Sequence, residues 1–171
     1  MIDFFYVYIM EQKLYDYLQG LNIEYQKLEH EPFFTCEESE AFYQQSPGAH
    51  CKTLFIRNRK KTAYYLAVVM SDKRVDMKAV TKFLEEGQKM SFGSAEKMNE
   101  FLGLVPGSVT PFGLLHPGAS NITKVLIDTG VQNHDFVHFH PLRNTATLRL
   151  SRADFFVFLD SLNHEVLSYA F

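Results

Sequence analysis

The segment Leu104-Val105-Pro106-Gly107-Ser108-Val109-Thr110-Pro111-Phe112-Gly113 sets glycine's close backbone approach beside proline's fixed backbone angle. Such a loop can present amide N–H groups to a carbonyl or phosphate oxygen and stabilise negative charge that develops during hydrolysis. The same residues also suit a plain Gly/Pro turn between a helix and a strand. Lys52 stands just before the apolar run Thr53-Leu54-Phe55-Ile56. A lysine there either orients a substrate carbonyl or phosphate by charge-assisted hydrogen bonds or is a solvated strand residue.

Three further groups have chemical potential. In Asn133-His134-Asp135-Phe136-Val137-His138-Phe139-His140, strand alternation places His138 and His140 on one face, where zinc could take them together with His134 or Asp135. No further ligand cluster accompanies them, and satisfied or exposed histidines are the commoner case. Cys51 beside Lys52, and Cys36 near His30, could act as thiolates, although neither lies in a catalytic-cysteine signature. Arg57, Arg59, Lys60 and Lys61 cluster at one turn, with Lys73, Arg74, Lys78 and Lys82 beyond. If turn and helix adjoin, they form a phosphate-contacting stripe for an RNA stem; otherwise they are a solvated charged surface.

The elements that must carry these residues follow from periodicity. Leu14, Tyr17 and Leu18 predict a short amphipathic helix from Glu11 to Gly20. A strand over Ile23 to Leu28 is broken at Glu29-His30-Glu31-Pro32, and Thr35 is expected to cap a second helix through Glu37, Glu38 and Ala41 before a turn at Gln44 to Gly48. Thr53 to Arg57 and Tyr64 to Val69 flank polar Asn58 to Thr62, a β-hairpin pattern. Helices are predicted over Val75 to Glu86 and Ser94 to Leu102, then a long loop from Gly103 to Gly118. Strands follow at Lys124 to Asp128, Phe136 to Phe139 and Thr145 to Leu150, and Ser151 caps a last helix from Arg152 to Leu162. Without a strict βαβ rhythm, the class is α+β.

At 171 residues the chain suits one domain with one site. Its 46% hydrophobic and 22% charged content argues against disordered and fibrous classes. A net charge of -3 confines any RNA contact to a local patch. Two cysteines are too few for a disulfide framework, so a cytoplasmic location is expected. The apolar stretch Ile2 to Ile9 is interrupted by Asp3 and is far short of the roughly 20 residues that span a bilayer. Met10-Glu11 is a second plausible start, so residues 1–9 read as an extra strand or an upstream extension and residues 10–171 as the single domain.

Several segments together resemble the YbaK/ProX family of aminoacyl-tRNA deacylases and prolyl-tRNA synthetase editing insertions. They are Glu29-His30-Glu31-Pro32 with Thr35, Lys52-Thr53-Leu54-Phe55-Ile56-Arg57, Tyr64-Tyr65-Leu66, Ser91-Phe92-Gly93-Ser94, Pro106-Gly107-Ser108-Val109-Thr110-Pro111, and Phe139-His140-Pro141-Leu142 with Asn144 and Thr145. Their order and spacing are similar to the family's from about Glu11 to the C-terminus, closest to its freestanding branch that clears alanine from proline tRNA. The resemblance implies a mixed, curved, barrel-like β-sheet surrounded by helices. It also implies Lys52, Gly107, Ser108 and Pro111 as catalytic, with His30, Thr35, Val109, Thr110, His140 and Asn144 binding substrate. Arg57, Arg59, Lys60 and Lys61 are the expected tRNA contacts. The chain departs from the family pattern at His116-Pro117-Gly118-Ala119-Ser120-Asn121, where relatives carry a shorter polar turn, and at Arg143, where a variable or apolar residue is expected.

The expected activity is hydrolysis of mischarged tRNA, foremost alanyl-tRNA(Pro), without metal, cofactor or covalent nucleophile. Water attacks the ester while the tRNA's own ribose hydroxyl helps to move the proton. The expected partners are the tRNA acceptor end, with prolyl-tRNA synthetase or an elongation factor as further candidates. Two rivals stand beside it: a non-catalytic tRNA-binding module of the same fold, and a metal hydrolase on His134, His138 and His140.

Overall fold

The structure is a computed structural model, and it describes residues 4–32 and 42–171. Helix α1 spans Phe4–Gly20 and buries Leu14 and Leu18, four residues apart on one face, together with most of Glu11. The stretch up to Ile9 that could have been an extra strand is therefore, from Phe4 on, the first part of this helix. The left-handed residue that turns the chain afterwards is Asn22, with φ 55°, rather than Gly20. The predicted helix beginning at Thr35 lies outside the described residues.

The strands are β1 (Tyr25–Glu29), β2 (Ala49–Asn58), β3 (Tyr64–Met70), β4 (Met90–Phe92), β5 (Ile122–Asp128), β6 (Phe136–Phe139), β7 (Ala146–Ser151) and β8 (Val166–Tyr169). They form one mixed sheet in the order β1-β7-β6-β2-β3-β5-β8, with β4 on β2. Ten-residue β2 joins the two halves of the sheet. Ala49 and His50 run parallel to β6, whereas Cys51 to Arg57 pair antiparallel with β3 in the predicted hairpin. Strands β4 and β8, of three and four residues, are too short to have been read from periodicity. Each is held by its neighbour, Ile56 opposite Phe92 and Val125 beside Val166.

Between strands lie α2 (Met77–Phe83), α3 (Ala95–Leu102) and α4 (Arg152–Asp160). Helix α2 is shorter than its pattern because Asp76 caps it, accepting from the N–H groups of Lys78 and Ala79, and because Glu85 turns left-handed just beyond Leu84. Ser151 caps α4 as expected, accepting from the Asp154 N–H at 3.0 Å while its hydroxyl donates to the Asp154 carboxylate at 2.7 Å. Ser151→Ala should lower unfolding free energy by about 1 kcal/mol in urea titration; an unchanged midpoint would contradict this role. The long loop after α3 is not irregular throughout. Two short 3-10 turns, Pro111–Leu115 and Pro117–Asn121, give its second half a fixed shape.

Apolar packing occupies both sides of the sheet. Leu14, Phe55, Leu66, Phe112, Val137, Phe139, Leu148 and Phe155 belong to the larger core. Ile56, Tyr65, Ala67, Val69, Val80, Met90 and Leu126 form the second. Strand β3 faces both, which is why Tyr64 to Val69 is an unbroken buried run rather than an alternating one.

Candidate functional site

Alternation along β2 sends Ala49, Cys51 and Phe55 towards the larger core and leaves His50 and Lys52 on the opposite face. Farther along that face, Leu54 and Ile56 enter the second core, so Lys52 stands at the border between apolar packing and a polar patch. Cross-strand register extends the patch: His50 lies beside His138 of β6, and His138 lies opposite Arg149 of β7. The segment from Phe42 to Gly48 closes over these residues. The Tyr43 ring stacks on His50 at 4.3 Å and meets His138 edge-on at 5.4 Å. Ser46 Oγ is 2.8 Å from His138 Nε2, and Arg149 Nε donates to the Pro47 carbonyl. Only glycine fits at position 48, where a Cβ would come within 2.7 Å of the His138 ring.

The Lys52 ammonium donates to the Ser71 carbonyl at 3.1 Å and to the Lys73 carbonyl, and among the described residues its third proton has no acceptor. Its neighbour Cys51 is unsuited to attack. Burial, reinforced by the negative charge of Asp128, pushes the thiol up to about 12, so it stays protonated at neutral pH.

At the far end of the patch His30 and His140 come together, ring centroids 5.9 Å apart. A carbonyl can only accept, so His30 Nδ1 donates to Glu31 O and its Nε2 faces the Thr147 hydroxyl at 2.9 Å, which Tyr43 OH also reaches at 3.2 Å. By the same logic His140 Nδ1 donates to Ala146 O at 2.8 Å, and Nε2 of the neutral ring carries the lone pair. Burial lowers the His140 pKa, with the Ala146 bond opposing it and His30 adding to it. Asn144 sits half-exposed in the same turn, which Leu142 enters with φ 68°.

The Gly107 to Pro111 loop is tied to this end of the sheet through its next residue. Phe112 is fully buried, edge-on to Phe139 at 6.0 Å and to Phe158 at 5.2 Å. Gly107 has φ 91°, a conformation that disfavours any side chain. Ser108 is committed to the loop itself: its N–H and its hydroxyl both donate to the Val105 carbonyl, and it is 4% exposed. The Thr110 hydroxyl, buried, accepts from the Phe112 N–H, and Val109 packs against the larger core. Among the described residues the N–H groups of Gly107 and Val109 donate to no protein acceptor, so backbone rather than hydroxyl chemistry is what this loop offers. None of the recorded bonds of Lys52 reaches it.

The other expected residues fall in separate places. Thr35 lies outside the described residues. Arg59, Lys60 and Lys61 are exposed at the hairpin tip, while Arg57 is half-buried and donates to the Asn58 carbonyl. The tip does adjoin the α2–β4 connection, through Lys60 N–H to Gln88 at 3.0 Å and Asn58 to Glu86 at 3.2 Å. Lys73 does not belong to that stripe, because its ammonium is paired with Asp128 at 2.7 Å. His134, His138 and His140 do not converge: among the described residues no three His, Cys, Asp or Glu side chains are placed to share a metal ion.

Both departures from the family pattern have structural duties. The segment from His116 packs on α3, where a Cβ at Gly118 would meet the Glu100 carbonyl at 2.3 Å. Arg143 binds both Glu29 oxygens, at 2.8 and 2.9 Å, and Glu11 at 2.9 Å, clamping the turn before β7 to α1 and β1. Sequence reading missed Tyr43, Thr147, His50 and Asp128, whose importance depends on contacts between distant segments. An open groove of about 740 Å³ beside α1 and β1, lined by Gln12, Tyr15, Asp16 and Tyr25 among others, borders none of the expected site residues. Among the described residues no helix is long and apolar enough to cross a membrane.

Comparison with known proteins matches residues 30–158 to the aminoacyl-tRNA editing domain. The prolyl-tRNA editing protein ProX of Acetoanaerobium sticklandii is 33% identical over 137 residues, 80% of this chain and 82% of that protein. A Bos taurus protein, prolyl-tRNA synthetase associated domain-containing protein 1, is 32% identical over 86% of this chain and 87% of its own. A solved structure described as a candidate trans-editing enzyme for prolyl tRNA synthetase superposes with a TM-score of 0.68 at 18% identity, covering 93% of this chain and 95% of that one. The two share one fold, which in this chain is an eight-strand mixed sheet flanked by helices.

Proposed function

This chain belongs to the aminoacyl-tRNA editing domain family, and from that premise we propose that it is a trans-editing hydrolase that removes a wrong amino acid, alanine foremost, from proline tRNA. The observation that carries the reading is the Lys52 ammonium, held by two backbone carbonyls with one proton to spare. That proton and the amides of Gly107 and Val109 are the donors offered to the ester carbonyl oxygen as water adds to the carbonyl carbon. The bond to the ribose oxygen then breaks, and the neighbouring ribose hydroxyl relays the proton from water to the leaving oxygen. Positioned donors lower the barrier without a protein nucleophile, consistent with a protonated Cys51 and an occupied Ser108.

His140 Nε2, the lone-pair nitrogen, is suited to accept from the substrate's α-ammonium. A small pocket would admit alanine and exclude proline by size, the discrimination that editing adds where binding alone separates similar side chains poorly. Release of labelled amino acid from alanyl-, seryl- and cysteinyl-tRNA(Pro) tests the reading. Tight tRNA binding with no release from any of the three would leave a binding module of the same fold.

The exposed hairpin tip is the proposed contact with the tRNA backbone. Changing Arg59, Lys60 and Lys61 together to alanine should raise KM and lower the slope of log affinity against log salt by about 2–3, roughly one per lost phosphate contact. An unchanged slope would move the RNA footprint elsewhere.

A further inference from the structure

Asp128 ends β5 fully buried, and its carboxylate gathers three donors. Lys73 Nζ approaches Oδ1 at 2.7 Å, the Gly130 N–H donates to Oδ1 at 2.9 Å, and the Met70 N–H donates to Oδ2 at 3.1 Å. Met70 and Lys73 are the two ends of the turn that leaves β3, itself closed by the Lys73 N–H donating to the Met70 carbonyl at 3.1 Å. The carbonyls of Ser71 and Lys73 in that turn are the acceptors of the Lys52 ammonium. A buried carboxylate thus grips the piece of backbone that aims Lys52. Gly130 leaves room for this arrangement, since a Cβ there would lie 3.0 Å from Met70 Cγ and 3.5 Å from Lys73 Nζ.

We propose that Asp128 is a positioning residue for Lys52, acting through the Met70–Lys73 turn, and that Lys73 serves this turn rather than the RNA surface. The proposal rests on Lys52 being the residue that holds the ester. A buried acid at the end of a strand commonly does no more than cap the next turn, as Asp128 does for Gly130. Here the same carboxylate also neutralises a lysine whose own carbonyl binds Lys52. The field of Asp128 reaches the neighbouring residue as well, for it helps to raise the Cys51 thiol.

The test compares Asp128→Asn, Lys73→Met and Gly130→Ala with the wild-type chain in three measurements: alanine release from alanyl-tRNA(Pro), tRNA affinity, and the NMR signal of the Lys52 side-chain ammonium. Asp128→Asn keeps the shape and loses the charge, Lys73→Met removes the partner, and Gly130→Ala crowds the pair while every charge remains. The expected result is a kcat about 10-fold lower in Asp128→Asn and Lys73→Met, with KM and tRNA affinity within about 2-fold, since small misplacements of a reacting geometry cost rate rather than binding. Gly130→Ala should show a smaller loss in the same direction. In all three the Lys52 ammonium signal should shift or broaden, because its carbonyl partners have moved. An unmoved Lys52 signal in Asp128→Asn and Lys73→Met would overturn the proposal, as would a loss of tRNA affinity in Lys73→Met with kcat intact. If the wild-type chain releases no amino acid, the editing reading fails, and the Lys52 signal alone still decides whether Asp128 positions it. If Asp128→Asn does not fold, Lys73→Met and Gly130→Ala carry the same three measurements.

Discussion

Lys52→Ala should slow alanine release from mischarged proline tRNA by about 10²–10³-fold, the usual cost of removing one donor aimed at a developing oxyanion. The loss should fall on kcat more than on KM, because the carbonyl oxygen gains most of its negative charge only as water adds. The geometry argues for an effect of this size. Two of the ammonium's three protons are already given to Ser71 and Lys73 carbonyls, so the third has a fixed direction rather than a freely rotating one. Lys52→Arg should not restore the rate, since a planar guanidinium cannot place its donors on the same two carbonyls and the ester together. The check is single-turnover release of labelled alanine, with circular dichroism to confirm that the variants fold. Wild-type rates in Lys52→Ala would remove the residue from the mechanism and with it the main support for the proposed chemistry.

Acid should unfold the protein in a window set by its histidines. Burial, aided by neighbouring His50, lowers His138 to about 4, and burial also lowers His50 and His140. Among the described residues the side-chain Nδ1 atoms of His50 and His138 are buried without a hydrogen-bond partner, and their rings lie 4.5 Å apart, so a proton on either brings a poorly compensated charge into the sheet. A histidine whose folded pKa is depressed contributes stability that is fully present above the unfolded value of about 6.5 and is lost as pH falls towards the folded one. For His138 the window therefore runs from about pH 6.5 to about pH 4, with a slope of about 1.4 kcal/mol per unit and a total of up to about 3 kcal/mol. Glu29, lowered to about 2 chiefly by its bonds to Arg143, acts in a separate and more acidic window. Its side chain is 59% exposed, so solvent screening keeps its share small. Urea midpoints measured from pH 7 to pH 4 should fall steadily in the wild-type chain and less steeply in His138→Gln, which keeps a hydrogen-bonding group for Ser46 but cannot titrate. Identical slopes in the two proteins would assign the acid sensitivity to other groups.

Most of the elements could be read along the chain, because their signals are local. The hairpin of β2 and β3, the helix begun at Ser94, the Ser151 cap and the strands β5 to β7 follow from periodicity and from a side chain that bonds its own helix end. Strands β4 and β8 were missed since a three- or four-residue strand is defined by the partner it pairs with. The strand alternative for Phe4 to Ile9 fails because its aromatic and β-branched residues suit a strand locally, whereas continuity with the α1 turns beyond them makes it helix.

The sequence by itself determined the α+β class and the family, and it pointed to the residues proposed for the site, namely Lys52, the Gly107 to Pro111 loop and His140. Each of these depends on identity and spacing along one stretch of chain. Only the tertiary structure decided what those residues are free to do. It is folding that brings the Ser71 and Lys73 carbonyls to Lys52, spends the Ser108 hydroxyl on Val105, and takes Lys73 off the surface to meet Asp128. It also gives Arg143, an anomaly in the linear pattern, its two carboxylates from α1 and β1. The reason is physical: a hydrogen-bonding group has few protons and lone pairs, and which distant partner claims them is settled by packing.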